Sequence, residues 1–377
     1  MARSEELAQQ IEGELARGEH GGPDERFMTV RQLAARYGVS LVTAQKVVQR
    51  LKHRGWLIGD STNPARIRPG SARRPRGGEA NRPRRLGMIV TNIANPFFSR
   101  LCRQVQQAAA TSGYQVLLAG TQYDFARERK AVEGFLEIGV EGLLIVPGLD
   151  DACLQLYQGL LDRGLRLVFI SRQVEKVAAD FVVADSFAAG AAMAGHLLSM
   201  GYESFGYLGF VARLKHDARL SGFRSALQEA GAMLEAERIV CAEGGSVAHG
   251  YSAMGRLIRG KRRPRAVFAF HDLLAIGALR YCQEHAIAVP EQVAIAGFDN
   301  LPESQVTSPP LTTVGYPVES MARLALQYLL EDRARDQLPR SSHHVFLEPH
   351  LIVRGSTNAS ARVAEPVVAA GSEVYDL

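Results

Sequence analysis

The sequence predicts an α/β fold: a two-lobed core of largely parallel sheets, preceded by a small winged helix-turn-helix domain. From Leu86 onward, short apolar runs rich in β-branched residues alternate with helical stretches, which is typical of βαβ units. These units continue to about Gly355, which is long for one sheet, so we expect two lobes. The first part of the chain instead shows apolar residues at helical spacing, followed by a short hairpin pattern.

Charge is distributed unevenly along the chain. The 377 residues carry a net charge of +5, which says little about partners by itself. Residues 1–85 hold 17 Lys/Arg and 9 Asp/Glu, a net charge of +8, whereas the remainder has a net charge of −3. A basic head on a slightly acidic body indicates a polyanionic partner such as DNA. The alternative is a basic tail that only improves solubility.

Composition and local pattern exclude several classes of protein. No apolar stretch reaches the roughly 18 residues that a membrane helix needs. The N-terminus lacks the apolar run and cleavage site of a secretory signal, so we expect a cytoplasmic protein with no membrane partner. The cysteines stand far apart without CxxC spacing, which favours reduced thiols. They are Cys102, Cys153, Cys241 and Cys282. We expect no metal and no cofactor.

The basic head contains three predicted helices and a hairpin. The buried stripe of the first helix consists of Leu7, Ala8, Ile11 and Leu15. Thr29 and Gln32 have the spacing of a capping box and begin the second helix. Ser40 caps the third helix after a tight glycine turn, so the pair forms a helix-turn-helix whose second helix can enter a major groove. Residues 56–58 and Ile67 are predicted to pair as the wing.

Domain boundaries are placed where composition changes. The head covers residues 1–68, and a basic flexible linker rich in Pro, Gly and Arg covers 69–85. The core covers 86–355 and is followed by a mobile tail at 356–377. The predicted lobes are 86–184 with 314–340, and 185–313 with 341–355. The predicted core strands lie at 86–90, 114–120, 141–147, 166–171, 205–210, 266–270 and 293–298.

The head resembles the winged-helix DNA-binding domain of the GntR family over residues 4–68. The matching motifs are RQLA at 31–34, YGVS at 37–40, Thr43, Leu51 and GWL at 55–57. The resemblance implies that Arg31 and Thr43 contact DNA and that Ser40 caps the recognition helix. Leu41 and Gln45 stand where that family often has arginines, so the resemblance does not define the operator sequence.

The candidate DNA-binding residues differ in what they can recognise. Gln45 can make two hydrogen bonds to adenine. Arginines of the hairpin and linker are better placed for phosphates, where they add salt-dependent affinity without sequence information. The candidates are Arg31, Ser40, Thr43, Gln45, Lys46, Arg66 and Arg68.

The core resembles the effector-binding domain of the LacI/GalR family, which shares a periplasmic-binding-protein-like fold with periplasmic sugar-binding proteins. The matching motifs are NPFF at 95–98, VAD at 183–185, RLSGF at 219–223, HDLLAIG at 271–277, GFDN at 297–300 and PPLTT at 309–313. A GntR-type head on a LacI-type core is similar to the architecture of arabinose repressors. The resemblance implies a homodimeric DNA-binding transcriptional repressor, with operator affinity controlled by a sugar-like effector bound between the lobes.

Candidate effector residues follow strands of the core, because ligands of open α/β sheets bind beyond the carboxyl ends of the strands. They are Phe97, Phe98, Arg172, Arg219, His271, Asp272 and Asp299. Aromatic rings can cover the C–H face of a sugar, arginines can donate to hydroxyls or a carboxylate, and aspartates can accept hydroxyls. The alternatives are core packing for the phenylalanines, salt bridges for the arginines and capping for the aspartates. Asp185 is expected to cap a helix.

Two departures from the LacI/GalR pattern bear on the effector. Gly245 stands where relatives often have an aromatic side chain, so one wall of the pocket is either missing or formed by another residue. His271 stands where relatives commonly have a small polar or amide residue.

Two other functions are compatible with an α/β core: a solute receptor of the same fold and an enzyme. A receptor requires export, which neither the N-terminus nor the basic head supports. The sequence contains no GK[ST] phosphate loop, no GxSxG elbow and no HExxH motif. We therefore expect a regulator without enzymatic activity.

Overall fold

The computed structural model describes residues 3–16, 19–20, 25–53, 56–58, 65–67, 84–148, 153–174, 176–211, 217–260, 263–331 and 342–358. Its contacts divide the chain into two compact units, Met1–Pro83 and Arg84–Leu377, and each is described by itself. In the described ranges, no helix combines the length and apolar character that crossing a membrane requires.

The first unit contains three helices and a two-stranded hairpin. These are α1 (Arg3–Ala16), α2 (Val30–Tyr37), α3 (Leu41–His53), β1 (Leu57–Ile58) and β2 (Arg66–Ile67). The hairpin strands pair antiparallel, with Leu57 opposite Ile67. The predicted stripe of α1 is buried in one cluster with Leu33, Leu51 and Trp56, so this small unit has an apolar core of its own.

The connection between α2 and α3 has the caps that the sequence predicts. Thr29 and Gln32 form a capping box at the start of α2. The helix ends at Gly38, whose φ of 61° is left-handed and suits glycine. Ser40 Oγ accepts a hydrogen bond from the Thr43 amide at 3.2 Å and so caps α3. These caps end one helix and begin the next within a few residues.

The second unit alternates strands and helices. Its strands are β3 (Arg84–Val90), β4 (Tyr114–Gly120), β5 (Gly142–Ile145), β6 (Arg166–Ile170), β7 (Asp180–Ala184), β8 (Phe205–Phe210), β9 (Ile239–Ala242), β10 (Ala266–Ala269), β11 (Ala294–Phe298), β12 (Thr312–Gly315), β13 (His344–Leu347) and β14 (His350–Ile352). Its helices are α4 (Pro96–Thr111), α5 (Phe125–Ile138), α6 (Cys153–Asp162), α7 (Ser186–Ser199), α8 (Ala218–Glu229), α9 (Val247–Ile258), α10 (Asp272–Glu284), α11 (Glu303–Val306) and α12 (Val318–Leu330).

The strands of this unit form two sheets, one in each lobe. The first sheet has the order β13-β7-β6-β5-β3-β4 with parallel pairs throughout. The second has the order β14-β12-β11-β10-β8-β9 and is parallel except between β12 and β14. Central strands such as β5, β10 and β11 are buried along their whole length, as expected for sheets covered on both faces. The predicted two-lobed α/β fold is confirmed.

The predicted lobe boundaries need correction near the end of the core. Strand β13 pairs in parallel with β7, so His344–Leu347 belongs to the first lobe and not to the second. Strand β12 pairs with β11, which places Thr312–Gly315 wholly in the second lobe. The chain therefore passes between the lobes after β7, after β12 and again between β13 and β14.

The predicted linker and tail also include residues that belong to the second unit. Arg84 and Arg85 belong to β3, and the Arg84 guanidinium lies 2.9 Å from a Glu141 carboxylate oxygen. Ser356 is fully buried, and its hydroxyl accepts a hydrogen bond from the Thr312 amide at 2.8 Å. The second unit therefore holds these residues, whereas residues 69–83 and 359–377 lie outside the described residues.

Helices α7 and α8 approach closely because glycines face the opposite backbone. A Cβ at Gly190 would lie 2.1 Å from the Arg219 carbonyl oxygen, and one at Gly222 would lie 2.0 Å from the Phe187 carbonyl oxygen. Both distances are far below van der Waals contact, and the obstructing atoms belong to the backbone. These glycines therefore determine how closely the two helices can pack.

Gly190→Ala should lower the free energy of unfolding by about 2 kcal/mol, because the added methyl group forces α7 and α8 apart. Gly195→Ala on the same helix is the matched control, since a Cβ there meets nothing within 4 Å. That control should be neutral or stabilising by up to about 1 kcal/mol. Urea denaturation of both variants checks the prediction, and equal stabilities would contradict it.

Candidate functional site

A cavity of about 380 Å³ lies between the two lobes at the carboxyl ends of the strands. Both lobes contribute to its walls, as expected for ligand sites of open α/β sheets. Its aromatic lining residues are Phe97, Phe98, Tyr123, Phe187, Phe270, Tyr316 and Phe346. Its ionisable lining residues include Arg172, Lys176, Asp185, Asp217, Arg219, His271 and Asp299. The site thus combines apolar ring faces with charged donors and acceptors.

One wall of the cavity is formed by the start of α4, which carries the NPFF motif. The Asn95 side chain accepts a hydrogen bond from the Phe97 amide at 2.9 Å, and Pro96 occupies the first helical turn. Both Phe97 and Phe98 line the cavity, although each is less than 5% exposed. Their ring centroids lie 5.1 Å apart in an edge arrangement. Both rings are therefore packed in the core and also line the cavity. Core packing and effector contact, which were predicted as alternatives, do not exclude each other.

Arg172 follows β6 and lines the cavity as predicted. Its guanidinium carbon lies 5.5 Å from the ring centroids of both Phe98 and Tyr123. Its hydrogen-bond partners in the described chain are Thr91 Oγ1 and the Pro147 carbonyl, both at 3.4 Å. These are long, neutral contacts and not a salt bridge, so the guanidinium retains donors for a ligand.

Arg219 enters the cavity from the first turn of α8. Its guanidinium carbon lies 3.6 Å from the centroid of the Phe298 ring and 4.5 Å from that of Phe270. One of its nitrogens donates a hydrogen bond to the Phe270 carbonyl. The ring faces fix the guanidinium plane without using its remaining donors, so the arginine is presented to the cavity in a defined orientation.

His271 lines the cavity and also caps α10. Its Nδ1 accepts from the Leu274 amide at 3.3 Å, which leaves the proton on Nε2. Burial, together with the charge of Arg219, lowers the pKa of His271 to about 3, so the ring stays neutral at ordinary pH. A Cβ at Gly245 would lie 2.9 Å from His271 Nε2. The imidazole therefore stands where a larger residue at position 245 would extend.

Asp272 does not line the cavity, which corrects its prediction as an effector contact. It is fully buried behind His271, where one carboxylate oxygen accepts from Thr313 Oγ1 at 2.6 Å and the other from the Leu301 amide at 2.8 Å. Burial and the nearby charge of Asp299 raise the pKa of Asp272 to about 8. The side chain connects β12 to the loop after β11, so its role is structural.

Asp299 follows β11 and lines the cavity as predicted. Its φ of 111° is unusual for a residue other than glycine, and strained conformations of this kind cluster at functional sites. Tyr123 (φ 62°) and Ser171 (φ 66°) have left-handed backbones in two further turns that border the cavity. Three strand ends therefore carry backbone strain where they turn side chains toward the same space.

The affinity for an effector whose hydroxyls bind the Asp299 carboxylate should rise about tenfold between about pH 6 and pH 8. Burial raises the pKa of Asp299 to about 7, although the charges of Arg219, Arg172 and Arg100 oppose the shift. The neutral acid predominates below pH 7, and the acceptor form appears as pH rises. Calorimetry across this range measures the slope.

Asp299→Asn is the matched variant for this pH dependence. It should bind more weakly at pH 8 and lose the slope, because the amide does not titrate. The buried group has a higher pKa than in the unfolded chain, so its contribution to stability falls as pH rises from about 4 through about 7. A slope that persists in Asp299→Asn would assign the titration to another group.

Several cavity residues were not predicted from the sequence, and three of them add polar groups that a ligand can contact. Tyr316 follows β12 and packs against Phe97 with ring centroids 5.4 Å apart, and Tyr123 follows β4. Burial and the charge of Asp299 raise the pKa of Tyr316, so its hydroxyl stays protonated. Gln173 lines the same wall, and its buried Oε1 has no hydrogen-bond partner in the described structure. Such an acceptor suits a ligand hydroxyl.

Asp185 has the structural role that its position suggests, although it borders the cavity. Its carboxylate accepts from the Ala188 amide at 2.8 Å and caps α7. Across the described ranges, no three His, Cys, Asp or Glu side chains are grouped so that they could hold a metal ion.

The candidate DNA-binding residues lie on the first unit. Arg31 is exposed in the first turn of α2, whereas Gln45 and Lys46 are exposed on α3. Thr43 is half-buried, and its hydroxyl lies 2.9 Å from that of Ser40. Arg66 is exposed on β2, and Arg68 lies outside the described residues. The helix-turn-helix thus exposes polar and basic side chains on both of its helices.

Comparison with known proteins places these features in a family. A model of the periplasmic binding protein-like domain matches residues 194–357. The HTH-type transcriptional regulator MalR of Streptomyces coelicolor is 31% identical over 334 residues, which cover 87% of this chain and 91% of MalR. The regulator GalS of Salmonella typhimurium is 30% identical over 341 residues, covering 88% of this chain and 96% of GalS. Both matches cover more of the chain than the second unit does, so they extend into the first unit.

The solved structures show the same relationship. A transcriptional regulator of the LacI family from Sanguibacter keddieii is 32% identical and superposes with a TM-score of 0.64. The superposition covers 73% of this chain and 98% of that one, as expected if it corresponds to the two-lobed core. These relatives are transcription regulators. This chain belongs to the LacI family of HTH-type transcriptional regulators.

Proposed function

We propose that this regulator is a homodimeric repressor that acts in the cytoplasm and binds operator DNA through a GntR-type winged helix head. A sugar-like effector bound between the lobes controls its affinity for the operator. The observation that carries the proposal is a cavity with both ring faces and orienting charges, in the same chain as a basic helix-turn-helix. The dimer is proposed because operators with two-fold symmetry mirror two-fold proteins.

The winged helix is supported by the arrangement of the first unit. Three helices precede an antiparallel hairpin of β1 and β2, and the third helix exposes Gln45 and Lys46. The residues proposed to contact DNA are Arg31, Ser40, Thr43, Gln45, Lys46, Arg66 and Arg68. In this arrangement α3 enters the major groove, whereas the basic side chains of α2 and the hairpin contact phosphates.

A sugar-like effector is supported by the chemistry of the cavity walls. Phe97 and Phe98 supply ring faces, and Arg172 and Arg219 supply donors that have no carboxylate partner in the described chain. Asp299 supplies the acceptor. The remaining proposed contact, His271, has a neutral ring with a donor at Nε2. Together these groups suit a ligand with apolar C–H faces and several hydroxyls.

The proposed mechanism is closure of the lobes on the effector, transmitted to the heads through the dimer. The effector has to prefer one conformation, since a ligand that binds both equally shifts nothing. Changing the ratio of the two states from 1:99 to 99:1 requires a preference of roughly 5.5 kcal/mol. Weaker preferences give partial control of DNA binding.

Thermal-shift screening tests the effector proposal. The full chain is screened against monosaccharides, oligosaccharides, sugar acids and sugar phosphates, and a specific ligand should raise the melting temperature with concentration. The positive compound is then added to a complex of the chain with DNA from upstream of neighbouring sugar genes. A ligand that stabilises the wild type and not Arg219→Ala supports the cavity assignment. Equal stabilisation of both proteins would contradict it.

A further inference from the structure

Helix α3 exposes two large apolar side chains in its first turn. Leu41 is 54% exposed and Val42 is 64% exposed, whereas most apolar residues of the first unit are buried. They belong to one exposed face of the helix, which continues with polar side chains. The face consists of Leu41, Val42, Gln45, Lys46 and Gln49. A partner that removes this apolar surface from water makes the free energy of binding more favourable.

The charge around these two side chains indicates what kind of partner covers them. Residues 29–53, which include both helices of the helix-turn-helix, contain five Lys/Arg and no Asp/Glu. Arg31, Arg36 and Lys46 are exposed in this segment. A helix-turn-helix segment whose charged side chains are all cationic is complementary to a polyanion and disfavours a second copy of itself. A partner that presents anionic groups around an apolar group would fit this face.

The major groove of DNA has this combination. Phosphates line its edges, and each thymine projects a C5-methyl group, which apolar side chains contact in sequence-specific complexes. We propose that Leu41 and Val42 are specificity-determining residues that read thymine methyl groups in the operator. This inference rests on the proposed function, because it requires the head to bind DNA through α3.

The neighbouring side chains make the expected operator more specific. Gln45 lies one turn beyond Leu41 on the same exposed face, about 6 Å further along the helix axis. A glutamine amide can make two hydrogen bonds to adenine. Since 6 Å corresponds to about two base-pair steps, the preferred half-site has a contacted thymine and an adenine within about two base pairs. The face thus selects A·T pairs through contacts with both thymine and adenine.

Uracil substitution tests the methyl contact directly. Binding sites are first selected from random duplex DNA with the full-length wild-type chain, and each thymine of the selected site is then replaced by uracil, which pairs identically but lacks the methyl group. Fluorescence anisotropy measures the affinity. At one or more thymines, the wild type should lose about fourfold in affinity, as expected for one buried methyl group. In Leu41→Ala or Val42→Ala, the loss at the corresponding thymine should disappear.

Two controls separate this contact from a general effect. Val306→Ala shortens an apolar side chain of the second unit that is 83% exposed, and it should retain the full uracil effect. Uracil at a thymine outside the selected site should change nothing. Leu41→Arg should change the preferred base from thymine to guanine, because arginine donates two hydrogen bonds to that base. This gain of a new preference is independent of any loss of stability in the alanine variants.

The outcomes distinguish this inference from the proposed function. If a site is selected but uracil binds as tightly as thymine at every position, the methyl contact is overturned while operator binding stands. The same holds if the alanine variants only change self-association in analytical ultracentrifugation. If no duplex is selected from the random pool, the proposed DNA-binding function fails, and this inference fails with it.

Discussion

Replacing Arg219 by alanine should lower effector affinity about 100-fold while leaving operator binding without effector intact. Hydrogen bonds to charged groups are worth about 1.5–3 kcal/mol, and the planar guanidinium can make two of them to one ligand. Its orientation is fixed by the faces of Phe298 and Phe270, so the donors are in place before the ligand binds. Isothermal titration calorimetry with the identified effector measures the loss. Arg219→Lys should be intermediate, since it retains the charge and loses the fork.

Arg280→Ala is the matched control for this experiment. Arg280 belongs to the same lobe, is exposed and pairs with Glu284 at 2.9 Å, but does not line the cavity. The Arg280→Ala variant should bind the effector with wild-type affinity. Circular dichroism shows whether Arg219→Ala retains its fold after losing the hydrogen bond to the Phe270 carbonyl. Wild-type effector affinity in a folded Arg219→Ala would remove this arginine from the binding site.

The affinity for operator DNA should fall about 1,000-fold between about 50 mM and 200 mM salt, because basic side chains displace counterions from several phosphates. Effector affinity should change little over the same range, because ring contacts and buried hydrogen bonds are weakly screened. Arg31→Ala should weaken DNA binding and reduce the slope of log affinity against log salt by about 1 if it contacts a phosphate. Anisotropy titrations at several salt concentrations measure both quantities.

The specificity of the Arg31 result depends on two comparisons. Effector affinity in calorimetry should be unchanged in Arg31→Ala, since the residue belongs to the first unit and the cavity to the second. Arg66→Ala and substitutions of the linker arginines are measured in parallel, because one arginine does not test the whole head. Wild-type DNA affinity and salt slope in Arg31→Ala would exclude this contact. The same result in every arginine variant would contradict the DNA-binding head.

The rule that ligand side chains follow parallel strands accounts for most of the predicted site. Arg172 and Asp299 each follow a strand of their lobe, and the structure places both on the cavity. The same rule applies to Tyr123 and Tyr316, which also follow strands and were missed. The strand before Tyr316 is only four residues long and polar in its first half, so its end was not recognised as part of a sheet edge. The sequence pattern that marks the end of this strand is therefore present but weak.

Asp272 shows that the local sequence does not determine whether a carboxylate after a strand faces the cavity or the protein interior. It follows a buried strand as Asp299 does, but its oxygens turn away from the cavity to Thr313 and the Leu301 amide. These partners come from β12 and from the loop after β11, so only the tertiary arrangement decides between a ligand-binding and a structural role. Strand β13 was assigned to the wrong lobe for a similar reason. A short edge strand with alternating burial can pair with either sheet, and pairing with β7 decided its place.

The central claim is that the cavity in the second unit controls DNA binding by the first. It is tested most directly by titrating labelled operator with the full chain, with and without saturating effector, in the wild type and in Arg219→Ala. The wild type should change its DNA affinity at least tenfold, which is about 1.4 kcal/mol of coupling, and Arg219→Ala should show no change at an effector concentration that saturates the wild type. By reciprocity, effector affinity should change by the same factor when operator is bound. Identical wild-type affinity for operator with and without saturating effector would contradict the claim.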